Sequence, residues 1–190
     1  MKLTLDQLKQ IVPTLPKNAD VFIPYLNEAI KTYEINTPRR LAGFLANAAH
    51  ETMGFKRMVE MASGDAYENR KDLGNVYPGD GRRYKGRGIF QVTGRNNYVA
   101  MGKAMGIPNL ASNPDLLMAP QYAVKSAGIF WVNIKGNGLM DLPDTWRSKT
   151  LGYDPFRYLV YRVNGGQNGY AERLEYFNRA LKVLAQLLPE

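Results

Sequence analysis

Glu51 stands where a helix asks for a hydrocarbon. Residues 37–52 read Thr-Pro-Arg-Arg-Leu-Ala-Gly-Phe-Leu-Ala-Asn-Ala-Ala-His-Glu-Thr. Leu41, Phe44, Leu45 and Ala48 recur at steps of three and four, and a further step of three from Ala48 lands on Glu51. Two readings of such a carboxylate are open. At the edge of the stripe it reaches water or pairs with an arginine, and is structural. Turned into an apolar pocket, its ionised form is penalised, so it can hold a proton near neutral pH and act as a general acid. His50 beside it is the only histidine in the chain. Further on, Gln91 and Thr93 alternate with Phe90 and Val92, and in an extended segment they would share one face.

The elements that must hold these residues are mostly helical. Thr37 suits an N-cap and Pro38 the first helical position, and Gly54 offers the central helix a place to stop or bend. Before it, Thr4 with Gln7 forms a capping-box pattern ahead of Leu5, Leu8, Ile11 and Val12. A second helix is predicted over 21–33, with Phe22, Leu26, Ile30 and Tyr33 on its face. Residues 63–83 are rich in Gly, Asp, Asn, Arg and Tyr and read as an irregular surface segment. Ile89 to Val92 is a short β-prone run between glycines. Gly86-Arg87-Gly88 fits neither the dinucleotide fingerprint nor the phosphate loop. Helices are predicted over 95–105, from Asn113, over 120–132 with Ala123, Ala127, Phe130 and Trp131 inward, and over 156–163. Residues 133–153 read as loop, and 164–169 as a sharp turn. A last helix is expected over 170–188, with Leu174, Phe177, Leu181, Leu184 and Leu188 on one face. No internal repeat is visible. The fold class is mainly α, with one or two minor strands, in a single domain spanning 1–190.

Bulk composition narrows the partners. The chain is 45% hydrophobic and 22% charged, a globular balance. Lys+Arg 25 against Asp+Glu 17 gives +8, which favours polyanionic partners such as nucleic acid, anionic lipid or acidic wall polymers. The cations are scattered, so no nucleic-acid-binding arm is indicated. With no cysteine there is no disulfide and no thiolate metal site. One histidine and no acidic cluster leave no expected metal centre or cofactor. The first residues, Met-Lys-Leu-Thr-Leu-Asp-Gln-Leu, do not read as a signal peptide, and no apolar run approaches a membrane span. The expectation is a protein that folds in the cytoplasm and inserts in no membrane. The last helix carries Arg173, Arg179 and Lys182 beside its apolar stripe, and ordinary packing accounts for that pattern better than membrane disruption.

Three segments in order carry a resemblance: Ala49-His50-Glu51-Thr52, Tyr84-Lys85-Gly86-Arg87-Gly88-Ile89-Phe90-Gln91-Val92-Thr93, and Asn164-Gly165-Gly166. Together they resemble glycoside hydrolase family 19, the chitinase class, and especially its phage endolysin branch, over about residues 20–185. The resemblance implies a lysozyme-like, two-lobed domain with a small β element and a central cleft. It implies hydrolysis of a β-1,4 bond beside N-acetylglucosamine, with inversion. Glu51 then corresponds to the general acid and Thr93 to the residue holding the attacking water. Gln91, Asn97 and Asn164 correspond to sugar-contacting or cleft-shaping groups, and Arg173 to an arginine that meets the catalytic carboxylates. Tyr84 and His50 are expected to line the same cleft. Glu60, nine residues after Glu51, matches the second carboxylate of the phage branch; Asp65, Glu68 and Asp80 are rivals. Inverting enzymes hold their two carboxyls about 6.5–9.5 Å apart to admit a water.

The substrate expectation is peptidoglycan. The chain lacks the loops that extend the plant cleft, lacks cysteines, and is positively charged. It reads as a monomeric muramidase of the endolysin type, made in the bacterial cytoplasm and reaching the wall after holin-type release. The alternatives are a chitinase and a non-catalytic wall-binding module.

Overall fold

Local signals lay down helix α3 (Pro38–Glu51) as the sequence leads one to expect. The Thr37 hydroxyl accepts the Arg40 N–H at 3.2 Å, and Pro38 occupies the first position, where an N–H has no helical partner. Leu41, Phe44, Leu45 and Ala48 are all buried. The computed structural model describes residues 1–185; Leu188 lies outside the described residues. The chain divides into two units, Met1–Lys56 with Phe130–Glu190, and Arg57–Ile129.

In the first unit α3 packs along α9 (Tyr170–Ala185), which buries Tyr176, Phe177, Ala180, Val183 and Leu184. Helix α1 (Leu5–Ile11) carries the full capping box between Thr4 and Gln7, and packs on α9 with Leu8 and Ile11 buried. Helix α2 (Ile23–Thr32) buries Leu26 and Ile30. Residues 133–153, expected as loop, contain a short helix α7 (Gly136–Met140). Its two glycines disfavour helix, and tertiary packing overrides them. A Cβ on Gly136 would lie 2.3 Å from the Trp131 ring. The Trp131 Nε1–H donates to Asn137 Oδ1 at 2.8 Å, and Asn137 in turn donates to the Tyr33 carbonyl at 2.9 Å. Helix α8 (Pro155–Asn164) starts where Asp154 accepts the Arg157 N–H at 2.9 Å.

The second unit holds two single 3-10 turns, Asp65–Tyr67 and Lys71–Leu73, then α4 (Asp80–Arg83), α5 (Arg95–Met105) and a 3-10 helix, Pro114–Met118, where a helix from Asn113 was expected. The chain returns to the first unit through α6 (Pro120–Asn133). Tyr84, Tyr98, Met105, Leu110 and Leu117 form a buried cluster in the second unit. The Tyr98 hydroxyl donates to the Lys85 carbonyl at 2.7 Å, and burial pushes its pKa up to about 12.

The β-prone run is the clearest departure from expectation. Arg87 and Val92 exchange both backbone hydrogen bonds, at 3.2 and 2.8 Å, around the intervening four residues. Gly88 and Gln91 both have positive φ, 81° and 51°, so Ile89 is buried inside a turn rather than along a strand. Among the described residues β structure amounts to isolated bridges, Val59 with Arg87 and Arg87 with Val92. Among them, too, no helix is long and apolar enough to cross a membrane.

Candidate functional site

Glu51 ends α3, where the apolar stripe gives out. Its Oε1 accepts from Nη2 of Arg173 on α9. Arg173 is almost fully buried, while the Glu51 side chain keeps 21% of its exposure. A buried guanidinium is expensive unless every direction is satisfied. Here Nη1 donates to Asn47 Oδ1 at 2.9 Å and Nε to the Asn168 carbonyl at 3.1 Å, so the arginine is fixed from three sides. Asn47 is itself buried and donates to the Gly43 carbonyl at 2.9 Å. Among the described residues Glu51 Oε2 accepts no hydrogen bond. One oxygen is therefore anchored and the other is available to a ligand.

A second pair repeats the geometry one residue earlier on both helices. His50 Nδ1 contacts Glu172 Oε2. An ionised carboxylate only accepts, so Nδ1 carries the proton in this pair. Gly169 closes over the imidazole: a Cβ there would lie 2.0 Å from His50 Cε1, and its φ of 67° is one that suits glycine. Asn164, expected to contact sugar or shape the cleft, braces this loop. Its amide donates to the Asn168 carbonyl at 3.0 Å, and its oxygen accepts the Gly166 N–H at 2.8 Å. Because Asn168 also accepts from Arg173, the Asn164–Gly169 loop is tied to the arginine that holds Glu51.

The other expected residues belong to the second unit. Glu60 is half-buried and both its oxygens are engaged: Oε1 accepts the Gly86 N–H, and Oε2 accepts from the Tyr67 hydroxyl at 3.0 Å. Burial raises the pKa of Tyr67, and its hydrogen bond to Glu60 raises it further. Gly86 is a meeting point. A Cβ there would lie 2.6 Å from Gln91 Oε1 and 3.2 Å from Thr93 Oγ1. Gln91 and Thr93 thus converge near the Glu60 contact, though through a turn rather than an extended strand. Thr93 Oγ1 donates to the Gln91 carbonyl at 2.9 Å, and the Gln91 amide donates to the Gly88 carbonyl at 3.0 Å. Asn97 is exposed and donates to the Thr93 carbonyl at 2.7 Å, in the first turn of α5.

Tyr84 departs from its expected place. It is 2% exposed, its ring packs on Tyr98, and its hydroxyl donates to the Ala111 carbonyl at 3.1 Å. The rival carboxylates are likewise committed. Asp80 is 2% exposed, pairs with Arg95, and accepts the Val76 and Tyr77 N–H groups at 3.1 Å each. The Arg95 guanidinium holds its carboxyl below the usual range. Glu68 accepts the Gly79 and Gly81 N–H groups at 2.7 Å each, and Asp65 pairs with Arg82. Sequence reasoning passed over Asn47 and Glu172. Asn47 had a signal: a polar residue among alanines, four before Glu51 and so on the same helix face. Among the described residues no group of three or more His, Cys, Asp or Glu is placed to hold a metal ion.

A family profile of glycoside hydrolase family 19, described as chitinase class I, matches residues 27–139. The chain belongs to glycoside hydrolase family 19. A family 19 domain-containing protein of Haemophilus influenzae is 33% identical over 133 residues, 68% of this chain and 56% of its own length. An endochitinase of Arabidopsis thaliana is 37% identical over 131 residues, 68% of this chain and 40% of its own. The matches thus span less than two thirds of these relatives. In fold, this family 19 chain is similar to chitinase C from Streptomyces griseus, with a TM-score of 0.68 at 22% identity, covering 96% of this chain and 92% of that one. The mainly helical expectation therefore holds.

Proposed function

We propose that this family 19 chain is a glycosidase that cuts a β-1,4 bond beside N-acetylglucosamine, with bacterial peptidoglycan as its polymer. The observation that carries the reading is Glu51: one oxygen fixed by buried Arg173, the other without a hydrogen bond among the described residues, at the partly exposed end of α3. The pairing with Arg173 and the partial exposure also match the structural reading of this carboxylate; what favours the acid is the open second oxygen, because one oxygen sets orientation and the other can deliver a proton. Thr93 is proposed to hold the attacking water, and Glu60, with half of its four lone-pair sites still open, to accept its proton in an inverting reaction. Net charge +8 supports an anionic polymer, and the absence of cysteine suits a reducing compartment before release to the wall. The proposed role is an endolysin-type muramidase, delivered from the bacterial cytoplasm once a holin opens the membrane. A chitinase reading is supported equally well by the comparisons: the family profile is described as chitinase class I, and endochitinases stand among the relatives.

The test digests purified peptidoglycan and chitin oligomers with the protein and with Glu51→Gln, and identifies the products by mass spectrometry. Muramyl reducing ends released by the protein, and a fall of about 10²–10⁴-fold for Glu51→Gln at unchanged circular dichroism, are expected. N-acetylglucosamine reducing ends from chitin alone would establish the chitinase reading. Undiminished turnover by Glu51→Gln would remove Glu51 from the chemistry.

A further inference from the structure

Helix α8 buries Phe156, Leu159 and Val160 and turns Arg157, Tyr158 and Tyr161 outward. These outward groups join others of the first unit in a continuous strip. Trp146 lies 5.7 Å from Tyr158, centre to centre. Tyr158 and Tyr161 are 6.0 Å apart with planes within 18°, and Tyr153 is 6.4 Å from Tyr161. The Arg157 guanidinium sits over Tyr153 at 4.5 Å and over Tyr170 at 5.5 Å.

Two features of the strip suit it to a polar ligand, and what sets it apart from single tyrosines elsewhere is that they recur in adjoining rings. Every ring in it is half-buried, so part of each remains open to water. The hydroxyls of Tyr153, Tyr158, Tyr161 and Tyr170 make no hydrogen bond among the described residues, whereas those of Tyr67, Tyr84 and Tyr98 each have a protein partner. Tyrosines that serve only packing tend to satisfy the hydroxyl within the fold; open ones present an apolar face and a polar tip together, which suits a wet interface. The surrounding charge is positive. Arg147, Lys149 and Arg157 are exposed, while Asp144 is paired with Arg39 and Asp154 caps α8. The strip also abuts the Glu51 group, because Tyr170 follows Gly169, which lies against His50.

We propose that the Trp146–Tyr158–Tyr161–Tyr153–Arg157–Tyr170 strip is a second glycan-binding surface, which holds a carboxylate-bearing β-1,4-linked N-acetylhexosamine strand. Sugar faces stack on the rings, ring hydroxyls bond to the tyrosine tips, and strand carboxylates meet the cations. The sugar class rests on the reading of Glu51 given above; the surface itself does not need turnover.

The test measures adsorption to insoluble peptidoglycan and chitin by Tyr158→Ser/Tyr161→Ser and by Tyr158→Leu/Tyr161→Leu, which keeps apolar bulk without a flat face. Both are expected to adsorb at least tenfold more weakly to peptidoglycan, with hydrolysis of a short soluble oligosaccharide unchanged. Of the two tryptophans Trp131 is fully buried, so soluble peptidoglycan strands should quench emission from Trp146 in the protein and not in the double variants. Unchanged adsorption in the leucine variant overturns the proposal. So does equal loss of oligosaccharide hydrolysis, which would make the strip part of the reaction site. Concentration-dependent self-association that disappears in the variants, at unchanged adsorption, assigns the strip to a second copy instead. If the protein adsorbs through the strip but cleaves no glycan, the surface stands and the glycosidase reading falls.

Discussion

Thr93 gives its hydroxyl proton to the Gln91 carbonyl at 2.9 Å. What it has left is accepting capacity, since a hydroxyl carries one donor and two lone pairs. A water activated for attack must lose one proton to a base and has one more to place, and Thr93 Oγ1 can receive that second one. Glu51 and Glu60 differ in a related way: Glu51 is anchored through one oxygen, Glu60 through both. A group that delivers a proton needs a free edge, while a base needs only an open lone pair, and each Glu60 oxygen keeps one beyond its single hydrogen bond. If Thr93 serves the water, Thr93→Val should lower kcat about tenfold or more, the worth of one hydrogen bond of about 1.4 kcal/mol, with little change in KM. Thr93→Ser should keep most of the rate. Steady-state kinetics on one defined oligosaccharide separates the cases, and equal losses for Val and Ser would make the role packing.

At the scale of elements, what carried strong local chemistry was legible. The Thr37 and Thr4 caps and the stripe of α3 follow from residue type and spacing, and the structure has them; on α9 the buried face is turned from the expected one, with Phe177 and Leu184 buried, Leu174 and Leu181 only half-buried, and Tyr176, Ala180 and Val183 buried beside them. What depends on a distant partner was not. Helix α7 exists because Gly136 lets Trp131 pack flush, which no local propensity reports. Tyr84 looked like a cleft residue from its motif, but its neighbours Tyr98 and Ala111 come from later in the chain. In the candidate site, Glu51 was readable from its motif and Arg173 from the family resemblance, whereas Asn47 gains meaning only when α9 arrives beside α3. The Asn164–Gly169 loop shows how such coupling can be tested. Gly169→Ala adds a methyl into the His50 ring at a φ of 67°, so the loop must shift and with it the Asn168 carbonyl that holds Arg173. The expected result is a loss of more than about 1 kcal/mol of stability, with activity falling further than unfolding accounts for. Thermal melts beside activity below the transition read both, and activity tracking the folded fraction would uncouple the loop from Glu51.

For the whole molecule, charge acts in two ways that different experiments isolate. Inside, Asp80 is buried and its pKa is lowered, first by the Arg95 hydrogen bond and then by the backbone donors Tyr77 and Val76. A carboxyl lowered by folding contributes stability that is complete above the unfolded value, about pH 4, and is lost as pH falls through the folded value. Asp80→Asn should therefore cost about 1–3 kcal/mol at pH 7 and progressively less as pH falls below about 4, as denaturant melts over a series of acid pH values would show. A loss that stays constant down to the acid unfolding of the protein would assign the effect to shape rather than charge. Outside, the net charge of +8 draws the protein toward any polyanion, and the sequence pI is near 9.6. That attraction is screened by salt: the Debye length is about 8 Å at physiological ionic strength and about 3 Å at 1 M. The proposed general acid, Glu51, is held by a buried arginine, and that pair is screened much less. The two contributions should separate by substrate. Hydrolysis of an anionic wall polymer should fall steeply between low salt and 1 M, while hydrolysis of a short neutral oligosaccharide stays nearly level. The steep dependence should sit in KM, because capture precedes chemistry, and kcat on both substrates should move little. Parallel salt curves for polymer and oligosaccharide would mean that the surface charge has no part in capture, and the preference for an acidic wall would lose its electrostatic support.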